Sequence, residues 1–510
     1  MNLQLTEMQN MVVETARELG EKKLFAARVH LDETEEYPLE LMKEAGNLGL
    51  VGVAIPEAYG GMGQGVLSLS LATEEIAKVD PAVSTVFMVT TLGALPILLS
   101  ATEEQKQKYL PKLASGEWIG AFGLTESNAG SDALALQTKA VKDGDYYVLN
   151  GSKAFITSAG QADVYTIFAV TNPSRGKRGI SGFIVTKDMP GFSVEKKEKK
   201  MGIRCSQTCG LVFNNCRVPA ANLIGGKEGI GAITLLNTLN RSRIGIGAQS
   251  IGAAVGAMKE ALAYARERKQ FGKPITEFQA IQRKFANAHL DIEASRALVY
   301  AASRCADAGT GELAKLGAMA KCFSSDRAME ITEEAVQVCG GIGYMRDFPV
   351  EKYMRDAKIF KIYEGTNEIQ RNEIVTFLLH SVVGMAVPSD ELVRSMLIAV
   401  LDAIKSRADA RTLVSLGRRL LSMSLRYAKE LPSFEQGIQH VFANAAMYME
   451  AAELLVLDSE QENASEQSKI TAEAFAIRAL QKAIPEVSAI CEGRGRSDEL
   501  KDQIAKFVIG

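Results

Sequence analysis

The sequence predicts an α+β protein of several domains, in which helical segments flank one block of strands. The chain has 510 residues, which is too long for one hydrophobic core and predicts two to four domains. Its apolar pattern changes from helical to extended near residue 120 and returns to helical near residue 226. Strand-like and helix-like segments do not alternate, which argues against a parallel nucleotide-binding sheet.

The first 120 residues predict an all-α domain. The segment "TEMQNMVVETARELGEKKL" begins with Thr6 as a helix cap and places Val12, Ala16 and Leu19 on one apolar stripe. The segments "LATEEIAKVD" and "TEEQKQKYLPKLASGE" repeat the helical pattern, and "IPEAYGGMGQG" interrupts it. We therefore expect an N-terminal helical domain over residues 1–120.

One apolar segment of this domain is long enough to cross a membrane. The stretch "PAVSTVFMVTTLGALPILLSAT" (81–102) carries no charged side chain. It also contains Gly93, Pro96 and several Ser and Thr residues. We expect a buried pair of helices broken at Leu95–Pro96 rather than a membrane span.

Residues 121–225 predict an antiparallel β-barrel. The runs "YYVLNGSKAFITS", "VYTIFAV", "ISGFIVT", "GFSVEK" and "GLVFNNCRV" are short and rich in β-branched or aromatic residues. Gly, Asn, Asp and Pro separate them, as expected for strands joined by turns.

Longer helices follow the strands. "GAAVGAMKEALAYARERKQ" and its successors are amphipathic over several turns and are joined by short Gly/Pro loops, which predicts a four-helix bundle over residues 226–383. "GMAVPSD" (384–390) is typical of a linker. Residues 389–510 then predict an additional helical C-terminal domain.

The additional domain has an apolar stripe and a basic segment. The stripe consists of Val393, Met396, Leu397, Val400 and Leu401, and "SRADARTLVSLGRRLLSMSLRYAK" follows it. The favoured interpretation is a buried face between domains or subunits. Peripheral contact with a membrane surface is the alternative.

Composition excludes several functional classes. The net charge of -3 gives no reason to expect nucleic-acid binding. The seven cysteines have no disulfide-framework spacing, and the N-terminus lacks the apolar core of a signal peptide, so we expect a cytoplasmic location. Cys205, Cys209 and Cys216 form the only cysteine cluster, far from any histidine, so we expect no metal site.

The segment "KIYEGTNEIQR" (361–371) contains an acid in an apolar setting. Glu364 follows Ile362 and Tyr363 and precedes Gly365. A carboxylate that loses water gains a proton more readily, so its pKa rises. Glu364 is therefore either a catalytic base or, alternatively, a helix cap or salt-bridge partner.

Six segments together resemble the acyl-CoA dehydrogenase family of flavoproteins. They occur in the family order as "AFGLTESNAGSDA", "LNGSKAFITSAG", "NRSRIGIGAQSIG", "ERKQFGKPITEFQAIQ", "AVQVCGGIGYMRDFPVEKYMRDAKI" and "IYEGTNEIQR". The resemblance covers about residues 3–380, beyond which ordinary members end. The additional C-terminal domain is somewhat like that of the very-long-chain members.

The resemblance implies FAD bound between the β-domain and the bundle. Thr125 is implied at the flavin pyrimidine, and Thr157 at the flavin N5 edge with Phe155 over a ring face. The implied cofactor-binding set further includes Phe122, Leu124, Arg268, Gln270, Phe271, Gln337, Gly340, Gly341, Thr366 and Glu368. The turn of Arg268, Gln270 and Phe271 is implied to meet the FAD pyrophosphate and adenine of a neighbouring subunit, so we expect a homotetramer or homodimer. The glycines at 340 and 341 let backbone N–H groups approach a phosphate closely.

The resemblance also implies how an acyl-CoA thioester binds. Ser131, Asn240 and Arg243 are implied at the coenzyme A moiety, and the charge of Arg243 suits a phosphate. Asn240 stands where some relatives have Asp. Tyr363 and Gly365 are implied beside the acyl thioester.

The family reaction is α,β-desaturation of the acyl group. The resemblance implies that Glu364 removes the α-proton while the flavin N5 receives the β-hydride, with electrons passed to an electron-transfer flavoprotein. Some relatives carry the base immediately before the arginine of "NRSR", where this chain has Ser242. The alternatives are an enoyl-CoA reductase direction, an acyl-CoA oxidase, or a non-catalytic scaffold of the same fold.

Overall fold

The computed structural model describes residues 5–430, 435–461 and 463–491. The N-terminal part is helical, as predicted. Its helices are α1 (Glu7–Leu19), α2 (Phe25–Thr34), α3 (Leu39–Asn47), α4 (Gly65–Val79), α5 (Pro81–Ser100) and α6 (Glu103–Ala114). Thr6 caps α1: its hydroxyl accepts a hydrogen bond from the Gln9 N–H, and its own N–H donates to the Gln9 side chain.

Helix α5 is the apolar segment expected to be buried. Of its most apolar window, 78% lies inside the fold, where α5 packs on α4 and on strand β1 (Gly120–Gly123). By length and composition it is the one helix of the described residues that matches a membrane span, and a buried core helix passes the same test. The predicted break at Leu95–Pro96 is wrong. Pro96 lies in the last turns of one continuous helix, where its missing N–H removes a single hydrogen bond.

A curled sheet follows the N-terminal helices. Its further strands are β2 (Lys139–Asp143), β3 (Tyr146–Thr157), β4 (Val164–Val170), β5 (Ile180–Thr186), β6 (Phe192–Lys197) and β7 (Thr208–Pro219). The strand order is β1-β4-β2-β3-β7-β6, with β5 paired to β4. Most neighbours pair antiparallel, as predicted, but β1 and β2 both run parallel to β4. Periodicity cannot reveal the β1–β4 pair, because β2 and β3 lie between the two strands in sequence.

The predicted four-helix bundle is confirmed. It comprises α7 (Gly231–Glu267), α8 (Gln279–Ala308), α9 (Leu313–Cys339) and α11 (Asn367–Ser381), with the short α10 (Val350–Ala357) before α11. A hairpin of β8 (Lys269–Gln270) and β9 (Lys273–Pro274) joins α7 to α8. Small residues let α7 approach α4 closely, since a Cβ at Gly252 would lie 2.4 Å from the Glu74 carbonyl oxygen.

The C-terminal region packs on the bundle. Its helices are α12 (Asp390–Lys405), α13 (Ala410–Ala428), α14 (Gln436–Ser459) and α15 (Glu466–Cys491). Their apolar side chains join those of α7, α8 and α9 in one continuous core. On the predicted stripe of α12, Val393 and Val400 are buried inside the protein, whereas Leu401 stays exposed.

A buried group of charges, here called the junction cluster, connects the three main parts. The Lys352 ammonium of α10 lies 2.8 Å from Asp80 Oδ1 and 2.7 Å from Asp356 Oδ2. Asp80 also caps α5, and Asp356 Oδ1 accepts a hydrogen bond of 2.5 Å from the Ile203 N–H of the β-domain. The cluster therefore fixes the helical N-terminal part, the sheet and the bundle relative to one another.

Candidate active site

A cavity of about 470 Å³ lies where these three parts meet. Its walls come from α4 and α5, from the ends of β1 and β3, from α7 and from the loop before α11. The following predicted site residues line it: Phe122, Leu124, Thr125, Ser131, Phe155, Thr157, Arg243, Tyr363, Glu364 and Gly365. The structure thus brings the predicted base together with one part of the predicted cofactor set.

Glu364 lies in a strained turn at the edge of this cavity. Its φ is 56° and that of Gly365 is 87°, so two consecutive residues adopt left-handed conformations. Its carboxyl is partly enclosed and lines the cavity. Burial raises the pKa of Glu364 above its ordinary value, and this rise is opposed by Ser242, Arg243 and Lys321.

Ser242 is the direct partner of Glu364. Its hydroxyl donates a hydrogen bond of 2.7 Å to Glu364 Oε2. The position that the resemblance implies for the base of some relatives is therefore adjacent in space to Glu364, the base predicted for this chain. No local sequence pattern predicted this contact, because the two residues lie 122 positions apart in the chain.

Arg243 has partners other than those predicted. It is buried, and its guanidinium bonds to Gln370 Oε1 at 2.9 Å and forms an ion pair with Glu373. Both acceptors lie on α11 and are one helical turn apart. Arg243 also lines the cavity, and its predicted contact with the coenzyme A moiety stays a prediction. Arg241, which sequence analysis did not select, lines the cavity and is only partly buried.

Tyr363 connects the loop before α11, here called the base loop (residues 362–366), to the N-terminal helices. Its hydroxyl donates to Gln249 Oε1, and the Gln249 amide donates to the Pro81 carbonyl and the Thr85 hydroxyl, both at 2.7 Å. Its ring stacks on Phe360 with 6.2 Å between centroids. These contacts hold the loop against α7 and α5.

The opposite wall comes from the sheet. A β-bulge between Lys153 and Ile156 interrupts the pairing of β3 with β7 and leaves Phe155 with a φ of 58°. Phe155 is 68% exposed although it is a large aromatic, which is the setting expected of a ring that covers a ligand. The N–H of Ala154 donates to the Thr125 carbonyl at 2.8 Å, which keeps the two threonine segments adjacent.

Other predicted cofactor residues lie away from the cavity, at one end of the bundle. Arg268, Gln270 and Phe271 are exposed on the β8–β9 hairpin, and Gln337, Gly340 and Gly341 are exposed at the end of α9. The Tyr264 ring near the end of α7 lies 5.7 Å from Phe348, which follows α9, so both groups share that end. Their predicted role at the FAD of a neighbouring subunit stays a prediction.

The remaining predicted residues have local roles. Thr366 caps α11 by accepting a hydrogen bond from the Ile369 N–H, and Glu368 lies in the first turn, where backbone N–H groups lower its pKa. Neither residue lines the cavity, and nor does Asn240, which is half-buried on α7.

The described residues fit FAD. Thr125 and Thr157 supply hydroxyls at one wall, Phe155 supplies an exposed ring, and apolar side chains complete the enclosure. At Gly340 and Gly341, no atom lies within 4 Å of the position that a Cβ would take, so their backbone is open to a phosphate.

Comparison with known proteins agrees with this geometry. Models of the acyl-CoA dehydrogenase N-terminal, middle and C-terminal domains match residues 6–117, 121–216 and 229–379. An acyl-CoA dehydrogenase of Bacillus subtilis (strain 168) is 47% identical over 378 residues, which are 74% of this chain and 99% of the relative.

Two solved structures are also similar. A chain in a structure described as the electron transferring flavoprotein of Acidaminococcus fermentans is 48% identical, with a TM-score of 0.73 over 74% of this chain and 100% of that chain. An acyl-CoA dehydrogenase from Bacillus anthracis complexed with FAD is 30% identical, with a TM-score of 0.84 over 96% of this chain and 88% of that chain. The C-terminal helical region therefore has a structural counterpart in the second protein. The chain belongs to the acyl-CoA dehydrogenase family and is an FAD-dependent acyl-CoA dehydrogenase.

Proposed function

We propose that Glu364 is the base that removes the α-proton of an acyl-CoA thioester. The observation that carries this proposal is its carboxyl, placed in the cavity with a raised pKa and held by the Ser242 hydroxyl. A base whose pKa is brought towards the working pH abstracts a proton more efficiently. The α-proton passes to the Glu364 carboxylate as the α,β-double bond forms.

Held against Thr125, Phe155 and Thr157, FAD would supply the acceptor for the β-hydride. The chain's own residues orient the substrate and exclude water from the cavity. We propose that the backbone N–H groups of the Glu364–Gly365 turn polarise the thioester carbonyl, which makes the α-proton easier to remove. Tyr363, fixed through Gln249, keeps this turn against the substrate.

We propose that the acyl chain lies between α4, α5 and α7. Apolar side chains form that part of the cavity, among them Leu69, Met88 and Leu92. Ser131, which is exposed, and Arg241 of α7, which is half-buried, also line the cavity. We assign them to the coenzyme A moiety, with Arg241 as a second cation beside Arg243 for a phosphate.

The decisive experiment replaces the carboxylate alone. Glu364→Gln is expected to lower the rate of flavin reduction by acyl-CoA about 10³-fold or more while FAD stays bound. Anaerobic stopped-flow bleaching with a panel of short, long and branched acyl-CoAs measures this rate. Glu333→Gln changes an exposed acid of α9 and serves as the control. Full activity of Glu364→Gln with every substrate would remove the base assignment.

We propose an electron-transfer flavoprotein as the electron acceptor. The A. fermentans structure supports this choice, since its description names such a protein and it contains a chain 48% identical to this one. Reoxidation of the substrate-reduced enzyme by a purified electron-transfer flavoprotein tests it. Rapid oxygen consumption with peroxide release in the absence of a carrier would instead identify an oxidase.

The remaining sequence predictions are kept as proposals. They are four domains with boundaries at 1–120, 121–225, 226–383 and 389–510, a homodimer or homotetramer, and a cytoplasmic location. The six described cysteines are buried free thiols, which suits a reducing compartment. Peripheral membrane contact through the C-terminal region stays the alternative to a buried α12 face.

A further inference from the structure

A buried lysine lies behind the base. Lys321 of α9 has no exposed surface, and it does not line the cavity. Its ammonium donates to the Gly365 carbonyl at 2.7 Å and to Asn367 Oδ1 at 2.8 Å. Burying an ammonium is costly unless its partners compensate, so the location requires a reason.

The first partner of Lys321 belongs to the strained turn of the base. The Glu364 carboxyl lies on the cavity side, and the carbonyl of the next residue, Gly365, is bonded from the α9 side. The Gln370 amide also approaches the carbonyls of Glu364 and Gly365, but at 3.4 and 3.3 Å. Lys321 therefore makes the short contact that opposes relaxation of the turn.

The second partner fixes where α11 begins. Asn367 is fully buried, and its amide donates to Ser325 Oγ at 2.9 Å and to Asp326 Oδ1 at 3.0 Å. Since Lys321 bonds both Gly365 and Asn367, it joins the base loop and the start of α11 to one point on α9.

Several charged and titratable groups surround Lys321 and Glu364. Arg243 of α7 and Lys321 both favour the ionised form of Glu364. Around Lys321, burial lowers its pKa to about 8, while Cys322, Glu364 and Asp326 raise it and Arg243 lowers it. Lys321 thus carries its charge through neutral pH. Glu373 is ion-paired with Arg243, and burial raises the pKa of the Tyr363 phenol, which stays neutral.

We propose that Lys321 is a positioning residue for the catalytic base: it holds the Glu364–Gly365 turn through the Gly365 carbonyl and favours the carboxylate form of Glu364 by its charge. The inference rests on the proposed role of Glu364. Lys321 itself does not line the cavity.

Two substitutions separate the hydrogen bond from the charge. Lys321→Met removes both, whereas Lys321→Gln keeps an N–H donor without the charge. Ser325→Ala is the matched control, because Ser325 bonds to Asn367 in the same buried network but not to Gly365. The pH dependence of anaerobic flavin reduction is measured for each variant, together with thermal stability. Infrared difference titration against the corresponding Glu364→Gln double variant reports protonation of the Glu364 carboxyl without turnover.

Removing the cation destabilises the carboxylate, so the pKa of Glu364 rises. In both Lys321 variants, the acid limb of the pH profile and the infrared titration should move about 0.5–1 pH unit upward. The rate at the optimum should fall more for Lys321→Met than for Lys321→Gln. Ser325→Ala should leave the acid limb and the titration in place.

Two outcomes would overturn the inference. One is a uniform loss of rate in both Lys321 variants with no movement of the titration. The other is an equal movement in Ser325→Ala at matched stability. Either result would leave Lys321 with a merely structural role. Failure of the base assignment is a separate result, since it requires Glu364→Gln to stay active. If Lys321→Met does not fold, Lys321→Gln still tests the charge.

Discussion

The contact between Ser242 and Glu364 gives a prediction that can be worked in detail. Ser242→Ala removes the hydroxyl that donates to the Glu364 carboxylate at 2.7 Å. This hydrogen bond favours the ionised form, so its loss raises the pKa of Glu364 further above its ordinary value. Since the proposed base acts as a carboxylate, activity at acidic pH should fall.

The magnitude follows from the geometry. A hydrogen bond to a charged group contributes about 1.5–3 kcal/mol. Water that enters the cavity replaces part of the lost bond, and we take roughly half of its contribution as the net change. Because about 1.4 kcal/mol corresponds to one pKa unit, the acid limb should move upward by about 0.5–1 pH unit. Well below the limb, this means a rate reduced about three- to tenfold.

The assay is anaerobic bleaching of the flavin by a saturating acyl-CoA, measured from acidic to alkaline pH. Ser70→Ala serves as the control, since Ser70 lines the same cavity but bonds to Ser303 at 3.0 Å and not to Glu364. Its acid limb should not move. If the acid limb of the pH–rate profile of Ser242→Ala stays in place or moves to lower pH, its assignment to Glu364 is refuted.

Three further predictions concern the turn at Gly365, the stability of the junction cluster and the effect of Glu364 on stability at alkaline pH. Gly365→Ala should slow flavin reduction about tenfold or more, because its Cβ would lie 2.4 Å from Gln370 Nε2 at a φ of 87°. Gly309→Ala, at a φ of 66° with no atom within 4 Å, should lose a similar stability but keep its rate. Lys352→Met leaves two buried carboxylates without their cation and should lower the free energy of unfolding by about 3–5 kcal/mol in urea titrations. Folding raises the pKa of Glu364, so the protonated carboxyl contributes stability that is lost as pH rises through the folded pKa. Glu364→Gln should therefore be more stable than the wild type at alkaline pH, as measured by thermal melting.

Each of these predictions has a contrary result. An equal loss of rate in the Gly309 and Gly365 variants would assign the effect to general backbone strain. A loss below about 1 kcal/mol for Lys352→Met would mean that water compensates the junction cluster. Equal stability of Glu364→Gln and the wild type across the pH range would contradict a desolvated carboxyl.

Local sequence patterns were sufficient to predict part of the fold and part of the candidate site. The helical period and the capping residue predicted α1, and the apolar neighbours of Glu364 predicted its raised pKa. Long-range pairings were beyond such reasoning. The parallel pairing of β1 with β4 joins strands that are separated by two others, and the Arg243–Glu373 ion pair joins residues 130 positions apart. No local signal distinguishes a paired arginine from one that is free for a phosphate.

The proposed base, Glu364, must lose enough water to gain proton affinity and must still ionise near neutral pH. Burial raises the pKa of Glu364, and the Ser242 hydroxyl, Arg243 and Lys321 limit the rise. The charge of Arg243 is largely balanced by Glu373, whereas Lys321 bonds only to neutral oxygens among the described residues. Arg243 favours the ionised form of Glu364 more than Lys321 does, and the Lys321 ammonium adds to this effect from the α9 side. Helix α9 contributes no side chain to the cavity wall, but through Lys321 it limits the rise in the pKa of the proposed base, Glu364.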